Sequence, residues 1–132
     1  MMEVQLKIIG CLFVALAGVH VIFPRYFNWR SELASLSLIN RQLMQVHTFF
    51  IAFVVFLMGV LCIFSAEDMV QTRLGKQVAL GLFVFWFTRL IFQLFVYSPK
   101  LWRGKQVETV VHVLAILLWS YLSWVFFSVY YQ

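Results

Sequence analysis

Charge is what this 132-residue chain has least of: Asp, Glu, Lys and Arg together make up 11% of it, and only five residues are acidic. Soluble globular domains carry about a quarter charged residues, so the composition excludes that class. Hydrophobic residues make up 64% of the chain, aromatic residues make up 19%, and the mean hydropathy is +0.93. We therefore expect an integral membrane protein with one domain, residues 1–132.

Cysteine and nucleotide-binding motifs are also scarce. The two cysteines, Cys11 and Cys62, fall in different predicted helices at depths that differ by about 10 Å, which is too far for a disulfide. The chain has no GxGxxG, no P-loop and no pair of histidines at HxxxH spacing. These absences exclude a disulfide-built scaffold and the common dinucleotide, nucleotide and zinc-protease motifs.

Long apolar runs are what the chain does have. They cover residues 5–23, 43–65, 77–97 and 107–130, and each is long enough to cross about 30 Å of hydrocarbon. Their apolar character is continuous, which favours helices over the alternating strands of a barrel. The predicted fold class is an all-α membrane protein, an antiparallel bundle of four transmembrane helices.

The first connection is the longest, and it begins at a proline. Pro24 predicts that the first helix ends at Phe23, because proline disfavours helical geometry in the residue before it. Apolar and polar residues alternate between this point and Arg41, which predicts a short interfacial helix in the 1–2 connection. Ser37 or Asn40 is expected to cap the second helix.

Basic residues gather at two of the three connections. They are Arg25, Arg30, Arg41, Lys100, Arg103 and Lys105. The positive-inside bias then predicts that the 1–2 and 3–4 connections are cytoplasmic and that both termini lie outside, as in a bacterial inner-membrane protein. The net charge of +5 is interpreted as a contact with the lipid bilayer and its anionic headgroups; no feature indicates nucleic acid.

A weak internal similarity links the two basic connections. Phe23-Pro24-Arg25 with a following Trp-Arg pair resembles Ser98-Pro99-Lys100 with the same pair after it. Two similar hairpins would give this pattern. Helix ends at the membrane–water interface, where Pro, Arg and Trp are common, would give this pattern as well.

Four polar residues are predicted at one depth, about 5–8 Å inside the cytoplasmic boundary. They are His20, His47, Gln93 and His112, and the three histidines are the only ones in the chain. Arg89 lies one turn deeper on the face of Gln93, and Glu108 one turn shallower on the face of His112. Ionisable groups inside hydrocarbon are expensive and usually mark function.

Three imidazoles in one layer predict a metal site. His20, His47 and His112 would ligate zinc, copper or iron, since neutral imidazole suits all three metals. Gln93 would support the ligands, Glu108 would act as a general base on metal-bound water, and Arg89 would contact an anion. The expected reaction is hydrolysis or oxidation of a lipophilic molecule.

Three alternatives stay open. His47 and His112 could be axial ligands of haem b, with Arg89 and Gln93 beside the cofactor, in an electron-transfer subunit that contacts haem or a quinone. The polar layer could instead fix helix register in a non-catalytic accessory subunit of a membrane complex or a homo-oligomer. Arg89 could also form an internal ion pair with Glu108.

Packing within the helices is predicted from small and aromatic residues. Phe85 and Trp86 share the face of Arg89, and Trp119 and Ser123 share that of His112, so the inner seam is expected to be aromatic. This seam could also form the wall of a pocket for an apolar substrate or quinone. Small residues are expected to allow close helix approach at Gly10, Ala17, Gly18, Gly59 and Gly81.

Overall fold

A computed structural model describes all residues, 1–132, and every regular element in it is helical. In chain order the elements are α1 (Met2–Tyr26), α2 (Trp29–Glu32), α3 (Leu38–Phe64), α4 (Ala66–Gln71), α5 (Arg73–Phe95), a 3-10 helix (Pro99–Leu101) and α6 (Gln106–Tyr131). The four long helices are each long and apolar enough to span a membrane. The all-α fold class with four such helices is confirmed, and α2 is the short helix expected in the first connection.

The end of α1 differs from the prediction. The helix runs through Pro24 to Tyr26, because a proline near a helix end removes one backbone N–H but leaves the last turn able to form. The amide of Phe27 donates to the carbonyl of Phe23 at 2.9 Å. Asn28 then adopts a left-handed conformation, with φ 52°, which asparagine tolerates better than most residues. The chain therefore leaves the helix at this asparagine and not at the proline.

The polypeptide divides into two compact units. One is Leu6–Ala66, and the other combines Met1–Gln5 with Glu67–Gln132. We call them the α1–α3 unit and the α5–α6 unit after their long helices. Each contains one pair of antiparallel spanning helices. The single domain and the cytoplasmic side of the connections stay predictions.

In the α1–α3 unit the two helices cross at a pair of glycines. A Cβ atom on Gly10 would lie 2.8 Å from the carbonyl oxygen of Gly59, and one on Gly59 would lie 2.8 Å from that of Gly10. Close approach is therefore confirmed at both positions. Ala17 is buried. At Gly18 and Gly81 a Cβ would meet nothing within 4 Å, so for these two glycines the predicted close approach is wrong.

The same crossing sets the relative height of two predicted ligands. Gly10 is level with the turn between Gly59 and Ile63. Continued along both helices at 1.5 Å per residue, this register puts His47 about four residues, or roughly 6 Å, nearer to the connection than His20. These two histidines are offset rather than level, because the contact between Gly10 and Gly59, and not the ends of the apolar runs, sets the register of the two helices.

The glycine crossing predicts a matched pair of variants. Gly10→Val should destabilise the protein by about 1–3 kcal/mol, because the new side chain would overlap α3. Gly18→Val adds the same side chain to the same helix in open space, so we expect little change. Denaturation in mixed micelles measures the free energy of unfolding of each variant. Equal losses of stability would contradict the close crossing.

Aromatic side chains join α5 to α6 in the other unit. Trp86 and Trp119 stack with ring centroids 5.0 Å apart, and Phe83 lies 5.2 Å from Phe127. Both tryptophans are buried, which confirms an aromatic seam. Phe85 is different, because it is 49% exposed and so lies outside that seam.

Candidate functional site

The strongest polar link between α5 and α6 is the side-chain amide of Gln93. Its Oε1 accepts from Nε1 of Trp119 at 3.3 Å, and its Nε2 lies 2.8 Å from Nδ1 of His112. Gln93 is only 8% exposed. Both ends of the amide thus bond to the neighbouring helix, where an unpaired amide would cost several kcal/mol. The structure confirms that Gln93 and His112 lie in one layer.

These two bonds select one tautomer of the neutral imidazole. The indole N–H of Trp119 can only donate, so the oxygen of Gln93 must face it and the NH₂ must face His112. Nδ1 of His112 therefore accepts from Gln93, and the proton of the neutral ring lies on Nε2. In this state His112 presents a hydrogen-bond donor and not a lone pair to any further partner.

The connection after α5 covers one face of the His112 ring. Trp102 stacks on His112 with ring centroids 4.7 Å apart and an interplanar angle of 13°. The hydroxyl of Thr109 holds the backbone of Trp102, lying 2.6 Å from its carbonyl oxygen. The same hydroxyl lies 2.5 Å from the carbonyl oxygen of Lys105. His112 is consequently held by contacts on its edge and on one face.

Arg89 is held by neutral aromatic partners. Its guanidinium donates to the hydroxyl of Tyr97 at 3.3 Å. The central carbon of the guanidinium lies 5.4 Å from the Tyr97 ring centroid and 5.3 Å from that of Trp119, within the range of cation–π attraction. No ion pair with Glu108 forms, and Glu108 is exposed at the start of α6.

We refer to these six side chains as the α5–α6 polar cluster. Its members are Arg89, Gln93, Tyr97, Trp102, His112 and Trp119. Compared with models of known protein families, with characterised proteins and with solved structures, the chain matches none. The chemistry of this cluster is therefore the main guide to function.

The other two histidines lie in the α1–α3 unit. His20 is half-buried, and its Nδ1 donates to the carbonyl of Leu16 at 2.8 Å. His47 is exposed on α3. Neither unit contains three or more His, Cys, Asp or Glu side chains grouped so that they could hold a metal ion. Metal ligation by His20, His47 and His112 stays a prediction.

A groove runs along α5 beside the polar cluster. It has a volume of about 530 Å³ and is lined by Gly81, Val84, Phe85, Thr88, Arg89 and Phe92, which share one face of the helix. The hydroxyl of Thr88 donates to the carbonyl of Val84 in its own helix. Arg89 is the one charged residue in this lining, and the rest of the lining surface is almost entirely apolar.

Three members of the cluster were not predicted as partners. The sequence carries no prediction for the Tyr97 side chain, Trp102 is predicted only as part of a connection at the membrane interface, and Trp119 only as part of the aromatic seam. One signal lies in the sequence: a long cation in a spanning helix needs a polar group toward the nearer end of that helix. Tyr97, eight residues after Arg89, meets this need.

Proposed function

We propose that this protein binds a lipophilic molecule with one anionic head. The head would pair with Arg89, and the apolar chain would lie in the α5 groove. The observation that carries the proposal is a guanidinium within a spanning helix whose only partners are uncharged. A lipophilic ligand also agrees with the substrate class that the sequence predicts.

Electrostatics support an anion at this position. A charged side chain in the membrane is expensive, and it is usually paired or directed toward water. The phenol and the two aromatic faces around Arg89 orient the guanidinium without neutralising it. A planar guanidinium matches a carboxylate or phosphate through two parallel hydrogen bonds. A ligand carrying either group would supply the missing negative charge.

The shape and polarity of the groove support the apolar part of the ligand. From Gly81 to Phe92 it extends over about 16 Å of helix. Gly81 leaves its far end open, since a Cβ there would meet nothing within 4 Å. The chain would therefore lie toward Gly81 and the head toward Tyr97, with the head nearer to the membrane surface.

Equilibrium binding of palmitate and hexadecanol tests the proposal. The two probes have chains of equal length, and only palmitate carries a charge at neutral pH. We expect the purified protein in neutral detergent to bind palmitate at about one site per chain, with hexadecanol at least about tenfold weaker. Equal affinities would mean that the groove recognises only apolar chains, and the proposal would fail.

A second candidate is metal-dependent hydrolysis or oxidation, with zinc, copper or iron bound by His20, His47 and His112 and with Glu108 as general base. One observation favours it. Because Nδ1 of His20 donates to a carbonyl, its Nε2 keeps a lone pair, as in most metal-ligating histidines. His112 would first have to give up its bond from Gln93.

Elemental analysis of the purified protein tests this candidate. It predicts about one metal ion per chain, lost in His20→Ala, in His47→Ala and in His112→Ala. Visible spectroscopy separates haem b from a metal held by imidazoles alone, because only haem gives a Soret band. Retention of the metal in all three variants would exclude the candidate.

A further inference from the structure

A second cavity, open to the surface, lies at the other end of the α5–α6 unit. Its volume is about 490 Å³, and its lining residues are Gln71, Arg73, Lys76, Gln77, Leu80 and Tyr130. They come from the end of α4, the first turns of α5 and the last turn of α6. The helix α5 separates this cavity from Arg89 by about 16 residues, or roughly 24 Å.

Two unpaired cations dominate the cavity. Arg73 and Lys76 are three residues apart on α5, so they face the same side and repel each other. The nearest acids along the chain, Glu67 and Asp68 in the first turn of α4, form no ion pair with either. Like charges held together in one cavity favour an anion between them.

The remaining lining residues suit a phosphate group at a membrane surface. Gln71, Gln77 and Tyr130 carry amide and phenol groups that can donate to phosphate oxygens. Tyr130 is also an aromatic residue at the end of a spanning helix, the level where headgroups lie. Leu80 provides an apolar lining on the membrane side. The cavity thus changes from cationic to apolar along the direction in which a phospholipid changes from head to chain.

We propose that this cavity binds the phosphate of an anionic phospholipid headgroup. The site is separate from the groove at Arg89 and lies in the opposite leaflet. Arg73 and Lys76 would contact the phosphate, and the two amides and the phenol would contact its remaining oxygens and the head alcohol. Free phosphate shares the same chemistry, so the test must separate the two sources.

Native mass spectrometry of the full chain in neutral detergent provides that test. We expect dioleoyl phosphatidylglycerol to bind more tightly than dioleoyl phosphatidylcholine, and inorganic phosphate to compete poorly. Arg73→Gln combined with Lys76→Gln should weaken phosphatidylglycerol binding at least about tenfold, because each lost cation removes a charge-assisted bond. Arg103→Gln combined with Lys105→Gln is the matched control, since it removes the same charge at the other end of the unit.

The outcomes separate this site from the one at Arg89. Arg89→Leu removes any phosphatidylglycerol bound in the α5 groove, so the loss caused by Arg73→Gln with Lys76→Gln should be equally large in the Arg89→Leu background. Equal losses in the two double variants would mean that only net charge matters, and would overturn the proposal. Efficient competition by inorganic phosphate would reassign the cavity to a soluble phosphate and overturn the lipid assignment.

Discussion

Replacing Gln93 by leucine is expected to lower the free energy of unfolding by about 1–3 kcal/mol. The variant keeps the size of the side chain but removes both bonds from the amide to α6. It also leaves the buried indole N–H of Trp119 without its acceptor, which carries a desolvation cost of its own. Denaturant titration in mixed micelles, followed by tryptophan fluorescence, measures the change.

Two further variants make this result specific. Thr88→Val removes a hydroxyl that bonds only within α5, so it should change stability by a few tenths of a kcal/mol. His112→Leu should cost less in the Gln93→Leu background than alone, since the two residues share one bond. Additive losses from Gln93→Leu and His112→Leu would contradict the contact between them.

Replacing Arg89 by leucine is expected to weaken palmitate binding by about thirtyfold or more, because the partner of a partly desolvated carboxylate is removed. Stability should change much less than binding, since the lost protein contacts are one hydrogen bond and two cation–π contacts. Arg89→Lys should give an intermediate affinity, because an ammonium keeps the charge but cannot form the paired bonds of a guanidinium.

Arg103→Leu is the matched control for net charge. Arg103 is exposed in the connection after α5, and its loss should leave palmitate affinity unchanged. If Arg89→Leu binds palmitate as the parent does but is strongly destabilised, then the guanidinium is only a structural element. If both arginine variants lose affinity equally, then the protein attracts palmitate by net charge and not by a site.

The sequence is sufficient to predict the four long helices and the short helix α2, but not α4 or the 3-10 helix. Apolar runs identify the four spanning helices, and Ser37 is confirmed as the N-cap of α3, accepting from the amide of Asn40. The end of α1 is predicted less well, because Pro24 is only a local signal. A proline four residues before a left-handed asparagine can stay inside the last turn.

The internal similarity of the two connections does not extend to their backbone. Pro24 lies within a long α-helix, whereas Pro99 begins a 3-10 helix. The division into two hairpin units agrees with part of that prediction, but the matching residues adopt different local structures. Similar residues at the ends of two helices are therefore insufficient evidence of a structural repeat.

The polar layer shows what depth can and cannot predict. Counting residues along α5 and α6 correctly pairs Gln93 with His112. The same counting misplaces His47 against His20, because the contact between Gly10 and Gly59, and not the ends of the apolar runs, sets the register of α1 and α3. Small hydroxyl residues illustrate another limit: Thr48, Thr88, Ser123 and Ser128 all bond to the carbonyl four residues earlier. Such residues need no partner from another helix.

The chemistry of the individual side chains is also beyond a depth argument. Whether His112 offers a lone pair or a proton depends on which end of the Gln93 amide faces it, and Trp119 decides that. Whether Arg89 is paired depends on rotamers that bring Tyr97 and not Glu108 to the guanidinium. The first choice arises from a contact between helices and the second from side-chain rotamers, and a single sequence specifies neither.

Nitrogen-15 NMR of the arginine side chains gives the most direct view of the proposed ion pair. The spectrum of the protein in neutral detergent would be recorded with palmitate and with hexadecanol, and Arg89→Leu would assign the Arg89 guanidinium signal. Palmitate should shift that signal and leave the Arg73 signal in place, and hexadecanol should shift neither. An Arg89 signal that stays unchanged at saturating palmitate would contradict an anionic head bound at this position.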